Sequence, residues 1–125
     1  MPRTILIVDD EEEVVDVIVR RLLLDDLYEP MIATDGYEAI DLIKSKAIAL
    51  VVLDIHMRNL DGISVCRQVM ADARLKKVPI LISSAYVDDN EEVLRSLGIT
   101  YFLKKPYPMD DLIQMIDSIL ENKKA

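Results

Sequence analysis

The sequence has one cysteine and no long apolar run, and each shortage excludes a class of protein. Because Cys66 has no second cysteine to pair with, no internal disulfide can form, which fits a reducing compartment. A lone cysteine on an apolar helix face is typically a small buried side chain. No apolar run approaches the ~20 residues of a membrane span, and the amino end lacks the layout of a signal peptide. We therefore expect a cytoplasmic protein with no membrane partner.

Basic residues are also in deficit. The chain has 15 lysines and arginines against 23 aspartates and glutamates, which gives a formal net charge of −8. Such a surface repels a phosphate backbone, so direct nucleic-acid binding by this domain is disfavoured. A protein partner or a cation is the expected ligand.

Short apolar runs alternate with amphipathic stretches along the 125 residues, which is typical of strand–helix units on a parallel sheet. The second run should lie at a sheet edge because Pro30 cannot donate a hydrogen bond, whereas the third is apolar throughout and should be central. The predicted strands are residues 4–8, 28–33, 49–54, 79–84 and 100–104. The sequence thus predicts one α/β domain over residues 1–125, with a doubly wound five-stranded parallel sheet and five helices.

Each predicted helix carries one apolar stripe at the i, i+3, i+4 spacing. Gly98 is placed to end the fourth helix. The five stripes are Val14, Val15, Ile18, Val19, Leu22 and Leu23; Ala39, Ile40 and Ile43; Ile63, Val65, Cys66, Val69 and Met70; Val93, Leu94 and Leu97; and Leu112, Ile113, Ile116, Ile119 and Leu120.

Charged and hydroxyl side chains lie where the apolar runs end. Because the carboxyl ends of parallel strands meet at one edge of a sheet, we expect these side chains to converge. In strand order they are Asp9 and Asp10, Asp54, Ser83 and Ser84, and Lys104 and Lys105. Five consecutive carboxylates, residues 9–13, begin at the first strand end. Adjacent like charges repel by about 1 kcal/mol per close pair even in water, so a cation should offset them.

Hard oxygen ligands with excess negative charge suit Mg²⁺, with Mn²⁺ as the alternative ion. A lysine and a serine hydroxyl at the same edge can bind phosphoryl oxygens. Together these groups fit phosphoryl transfer, in which a carboxylate can itself accept the phosphoryl group.

The motifs resemble those of response regulator receiver domains of the CheY type over nearly the whole chain. The segments that carry the resemblance are "VDD" at 8–10, "LVVLDIHM" at 50–57, "DG" at 61–62, "SSA" at 83–85 and "KKPY" at 104–107. Each is weak alone, but they occur in the order and spacing of that family. The resemblance implies the strand order 2-1-3-4-5.

The resemblance also implies a role for individual residues. Asp54 is similar to the phosphorylated aspartate, and Asp9 and Asp10 are similar to the acidic pair that holds Mg²⁺ together with Asp54 and the backbone carbonyl of His56. Lys105 resembles the lysine that pairs with the phosphoryl group, with Lys104 the weaker candidate. Ser84 resembles the hydroxyl that binds this group, Phe102 the aromatic switch, and the bond between Lys105 and Pro106 the family's cis peptide.

Simpler interpretations stand beside these roles. On the residues alone, helix capping explains Asp9 and Asp10 equally well. Phe102 can be an ordinary core residue. Arg58 departs from the family pattern, which has proline at this position, and it should leave the loop after Asp54 less rigid while adding a charge near the site.

The resulting expectation is a regulatory phosphoacceptor of a two-component system or phosphorelay, not an enzyme acting on external substrates. A sensor histidine kinase or histidine phosphotransfer protein would donate phosphate to Asp54, and the surface of helix four, strand five and helix five would control an unknown target or form a phosphorylation-linked homodimer. Three alternatives stay open: a receiver fragment of a longer regulator, a Mg²⁺-dependent aspartyl-phosphate phosphatase, and a flavodoxin-like carrier, whose flavin phosphate the acidic run would repel.

Overall fold

A computed structural model describes residues 2–24 and 26–122. Five strands alternate with five helices, as the sequence predicts. The elements are β1 Arg3–Val8, α1 Glu12–Leu22, β2 Tyr28–Ala33, α2 Gly36–Ser45, β3 Leu50–Leu53, α3 Gly62–Ala71, β4 Ile80–Ser84, α4 Val87–Ser96, β5 Tyr101–Lys104 and α5 Met109–Asn122. Within the described ranges, no helix is both long enough and apolar enough to cross a membrane.

The strands form one parallel sheet in the order β2-β1-β3-β4-β5. The predicted order and the edge position of β2 are therefore confirmed, and Pro30 pairs in register with Ile5. All four residues of β3 are buried, as predicted for a central strand. Strand order reverses between β1 and β3, and ligands of such sheets bind in the crevice at that reversal.

Alternating side chains of the sheet pack on two helix layers. Leu6 and Val8 of β1 join a core with α2, α3 and α4, whereas Ile5 and Ile7 join a second core with α1 and α5. Cys66 is fully buried in the first core, and burial raises the pKa of its thiol to about 12. The expectation of a small buried side chain is thus confirmed.

The ends of two helices test the predicted boundaries. Gly98 has φ +98°, and the N–H groups of Gly98 and Ile99 donate to Arg95 and Leu94, which closes α4 as predicted. The prediction of Leu23 in the stripe of α1 is wrong. The helix ends at Leu22, so Leu23 lies past the buried face and is 62% exposed.

Candidate functional site

The ends of β1, β3 and β5 bring two carboxylates and one ammonium group together. The Nζ atom of Lys105 lies 2.8 Å from Oδ2 of Asp9 and 3.3 Å from Oδ2 of Asp54. The side chains of Asp9, Asp54 and Lys105 are 4%, 6% and 15% exposed, so these charges interact with little screening by water. The sequence predicted this convergence, and the three residues lie 45 to 96 positions apart in the chain.

A third carboxylate completes an acidic cluster that we define as Asp9, Glu11 and Asp54. One oxygen of each lies within 4.8 Å of the other two. Glu11 was not among the predicted site residues. No sequence signal distinguishes Glu11 within the five consecutive carboxylates; in the structure its N–H donates to Oδ1 of Asp9 at 2.9 Å, which forms an Asx turn.

Asp10 lies outside this cluster and binds Arg58 instead. Its Oδ2 accepts a hydrogen bond from the backbone N–H of Arg58 at 3.2 Å and lies 3.7 Å from the Nε of the same arginine. A proline at position 58 could not donate this bond. Arg58 therefore ties the loop after Asp54 to the end of β1, where the sequence suggested a looser loop.

The capping interpretation of the acidic pair is wrong. The residue that caps α1 is Glu11, which makes no side-chain hydrogen bond to the helix. Asp9 instead holds Lys105, and Asp10 holds Arg58.

Burial controls the ionisation of the Asp9–Lys105 pair. Desolvation, aided by the charge of Asp54, raises the pKa of Asp9 above its ordinary 3.8, even though the hydrogen bonds from Lys105 and the Glu11 N–H act in the opposite direction. Desolvation alone would lower the pKa of Lys105, but the hydrogen bond with Asp9 and the charges of Asp54 and Asp9 outweigh it and raise the pKa above 10.5. The site thus places one ammonium group close to three carboxyl groups.

Replacing Asp9 by asparagine should raise the free energy of unfolding at pH 7, without added metal, by about 1 kcal/mol. The raised pKa means that the folded protein binds a proton on Asp9 more tightly than the unfolded chain does. Ionisation of Asp9 therefore lowers stability as the pH rises from 3.8 through the folded pKa. Urea unfolding of both proteins at several pH values measures this. The advantage of Asp9→Asn should be small near pH 3.5 and grow with pH, and an advantage independent of pH would contradict the explanation.

The hydroxyl groups at the end of β4 have different partners. Ser84 is fully buried, and its Oγ accepts a hydrogen bond from the Tyr86 N–H at 3.1 Å. The Oγ of Ser83 lies 2.7 Å from the hydroxyl of Tyr107, a hydrogen bond that links β4 to the segment after Lys105. Burial raises the pKa of Tyr107, so this hydroxyl stays protonated at neutral pH. Tyr107 lies in the motif at 104–107, and the sequence does not predict its hydrogen bond to Ser83.

The other predicted residues surround this edge. The peptide bond between Lys105 and Pro106 is cis. The exposed ring of His56 stacks on the ring of Tyr86, with 3.9 Å between centroids. Phe102 is half-buried against the first core, and the guanidinium of Arg95 lies 4.8 Å from the centre of its ring. Lys104 points elsewhere, since its ammonium pairs with Asp88 at the start of α4.

The backbone holds Asp54 at the end of β3. Its N–H donates to the carbonyl of Val8 at 2.9 Å, and its Oδ1 accepts from the Ile55 N–H at 2.7 Å. The N–H of Gly62 donates to the carbonyl of Ile55 at 2.8 Å, which brings the start of α3 against the same segment. Asp54 thus keeps Oδ2 towards Lys105 while Oδ1 is fixed by the backbone.

Comparisons with known proteins agree with this geometry. The family model described as "Response regulator receiver domain" matches residues 5–117. A curated relative, the response regulator MprA of Mycolicibacterium vanbaalenii, is 37% identical over 121 residues, which are 96% of this chain and 51% of the relative. The chain therefore spans about half the length of the curated relatives it matches.

Solved structures share the fold. A CheY-like receiver domain protein from Methanospirillum hungatei has a TM-score of 0.89 at 22% identity, covering 99% of this chain and 98% of the other. The receiver domain of a sensor histidine kinase from Pseudomonas aeruginosa has a TM-score of 0.82 at 22% identity, covering 97% and 99%, and was solved with a magnesium ion coordinated in the active site cleft.

Proposed function

This chain belongs to the response regulator receiver family, and from that premise we propose that Asp54 accepts a phosphoryl group from a phosphohistidine. Receiver domains are regulatory phosphoacceptors of two-component signalling. The donor in this proposal is a sensor histidine kinase or a histidine phosphotransfer protein. The expected cytoplasmic location belongs to the same proposal, as does the extent of the domain over residues 1–125.

The observation that carries the proposal is the double contact of Lys105. Its ammonium is within 3.3 Å of Oδ2 of Asp54 and 2.8 Å of Oδ2 of Asp9, in a site from which water is largely excluded. An ammonium beside an acceptor carboxylate can bind an oxygen of an incoming phosphoryl group and offset the charge that develops during transfer. This arrangement favours Asp54 over the exposed carboxylates as the acceptor.

The donor atoms at this edge fit a magnesium ion. The acidic cluster supplies three carboxylates, whereas Lys105 supplies one ammonium group that contacts two of them. We propose Asp9, Asp10, Asp54 and the backbone carbonyl of His56 as the ligands, with Glu11 as an outer partner. When bound, the ion neutralises charge on the phosphoryl oxygens. The magnesium ion of the Pseudomonas aeruginosa receiver domain supports this assignment by analogy of fold.

Transfer of the phosphoryl group from the histidine to Asp54 needs no further reactant. A carboxylate oxygen of Asp54 forms a bond to phosphorus as the bond from phosphorus to the histidine nitrogen breaks, and that nitrogen keeps the electron pair. Lys105 then pairs with the bound phosphoryl group.

The acidic residues at this edge would repel a flavin phosphate, so the site gives no support to the alternative of a flavodoxin-like carrier.

The response to phosphorylation follows from the partners of Ser84. Its hydroxyl is held by the Tyr86 N–H, and movement towards a new dianion on Asp54 would release this bond at the start of α4. We propose that Phe102 then changes rotamer, which alters the contact with Arg95 and the surface of α4, β5 and α5. The target of that surface is a downstream protein or a second copy of the chain. Since the curated relatives are about twice as long, an output domain beyond this segment fits the same proposal.

Phosphate incorporation tests the function. We expect the protein, incubated with Mg²⁺ and a small acyl phosphate, to gain one phosphoryl group by intact mass spectrometry, and Asp54→Asn to gain none. The matched control is Asp41→Asn, which makes the same chemical change on the exposed face of α2 and should be phosphorylated normally. Undiminished incorporation in Asp54→Asn would overturn the proposal, whereas turnover of generic phosphate esters would favour the phosphatase alternative.

A further inference from the structure

We propose that Arg58 is an internal competitor of Mg²⁺ for Asp10, so that this arginine sets the affinity of the metal site. The inference rests on the proposed function, because it concerns how the same site takes up its ion. It assigns a role to the side chain of Arg58 besides the backbone link between the loop and the end of β1.

Two groups of Arg58 are directed at one oxygen of Asp10. The backbone N–H donates to Oδ2 at 3.2 Å, and the Nε of the guanidinium lies 3.7 Å from the same atom. The Asp10 side chain is 19% exposed, whereas that of Arg58 is 82% exposed. The carboxylate is therefore the fixed partner, and the guanidinium is free to leave it for solvent.

This contact explains which carboxylates come together. Asp9, Glu11 and Asp54 have oxygens within 4.8 Å of one another, and Asp10 is outside that group. The two adjacent aspartates pair with different cations: Asp9 with Lys105 and Asp10 with Arg58. An ion bound by Asp10 would therefore share this carboxylate with Arg58 or displace its guanidinium.

The loop that carries Arg58 is anchored on its other side. The side-chain amide of Asn59 donates to Oδ2 of Asp35 at 2.9 Å, and Asn59 takes a left-handed conformation with φ +66°. Asp10, His56, Arg58 and Asp61 all line one open cleft, which also includes Ile55, the residue after Asp54. Because its backbone is held at the edge of this cleft, Arg58 keeps its positive charge near the place where a divalent cation would bind.

Charge then predicts the direction of the effect. A tethered monovalent cation competes for the carboxylate and repels a divalent ion, and both effects weaken binding. Removing the guanidinium should tighten binding while the backbone hydrogen bond stays. We expect the Kd for magnesium to fall about threefold to tenfold in Arg58→Gln at low ionic strength, as estimated for a charge pair at a partly exposed site.

Isothermal titration calorimetry with magnesium chloride tests this on the unphosphorylated protein. The matched control is Arg74→Gln, which removes the same charge from an arginine whose Nε lies 3.6 Å from Asp72 and whose side chain is 84% exposed. Arg58→Lys keeps the charge and should bind magnesium nearly as the original protein does. The gain in Arg58→Gln should shrink between about 0.02 M and about 0.3 M salt, because added ions screen the charge.

The possible results separate the two proposals. A Kd for Arg58→Gln equal to that of Arg74→Gln at low salt would overturn the competitor role and leave the proposed function intact. A gain that is the same in Arg58→Lys, or that persists at high salt, would also overturn it, since the cause would not be charge. No heat of magnesium binding in any of the proteins would instead overturn the metal site of the proposed function.

Discussion

Replacing Lys105 by alanine should slow phosphorylation of Asp54 by a small acyl phosphate at least about 100-fold, the effect of removing one preorganised charged donor. The Lys105 side chain is 15% exposed and its Nζ contacts both Asp9 and Asp54, so solvent cannot readily replace it. The rate of incorporation at saturating magnesium, followed by intact mass spectrometry, measures the loss.

The same variant should bind magnesium as well as the original protein or more tightly. Lys105 contacts Asp9 and Asp54, two of the proposed ligands. Its removal takes away a positive charge that otherwise repels the magnesium ion and offsets the charge of both carboxylates. Loss of transfer with retained metal binding distinguishes a catalytic role from misfolding. The matched control is Lys104→Ala, the neighbouring lysine that pairs with Asp88 away from the site. Equal phosphorylation rates in the two variants would contradict the assignment of Lys105.

Replacing Gly62 by alanine should lower the free energy of unfolding by about 3 kcal/mol, the upper part of the range for overpacking. A Cβ atom at this position would overlap the carbonyl oxygen of Asp54 and lie 2.8 Å from the Cα of Ile55. Both are backbone atoms at the end of β3, so neither can move aside as a side-chain tip would. Phosphorylation should fall as well, because the strain acts directly on the phosphoacceptor.

Urea unfolding followed by circular dichroism measures the loss of stability at Gly62. Gly98→Ala is the comparison, since Gly98 has φ +98° and an added Cβ would meet only the flexible end of Met70. There the conformational penalty should amount to about 1 kcal/mol. A smaller loss in Gly62→Ala than in Gly98→Ala would show that the start of α3 adjusts freely and would contradict the close packing on Asp54.

Much of the fold could be predicted because burial leaves periodic traces in the sequence. Pro30 predicted the edge strand, the apolar run of β3 predicted the centre of the sheet, and Gly98 predicted the end of α4. Leu23 was assigned wrongly because the spacing of apolar residues does not indicate the residue at which a helix ends. The strand ends predicted the convergence of Asp9, Asp54 and Lys105, since a parallel sheet brings its carboxyl ends to one edge.

The ion pairs within the site could not be predicted from the sequence. The sequence does not indicate that Asp10 pairs with Arg58 or that Glu11 joins the acidic cluster, because adjacent side chains in a loop have no periodic pattern. The hydrogen bond between Ser83 and Tyr107 is of the same kind, as it depends on the path of the chain after Lys105. Such contacts are decided by tertiary geometry and local backbone conformation.

Locating the phosphoryl group in the chain is the most direct test that Asp54 is the phosphorylated residue. Acyl phosphates are reduced by borohydride, so an aspartyl phosphate becomes homoserine and can be located by peptide mass spectrometry. We predict that protein treated with Mg²⁺ and an acyl phosphate yields homoserine at position 54 and that omission of the metal largely prevents it. Homoserine at another aspartate, with Asp54 unmodified, would contradict the account.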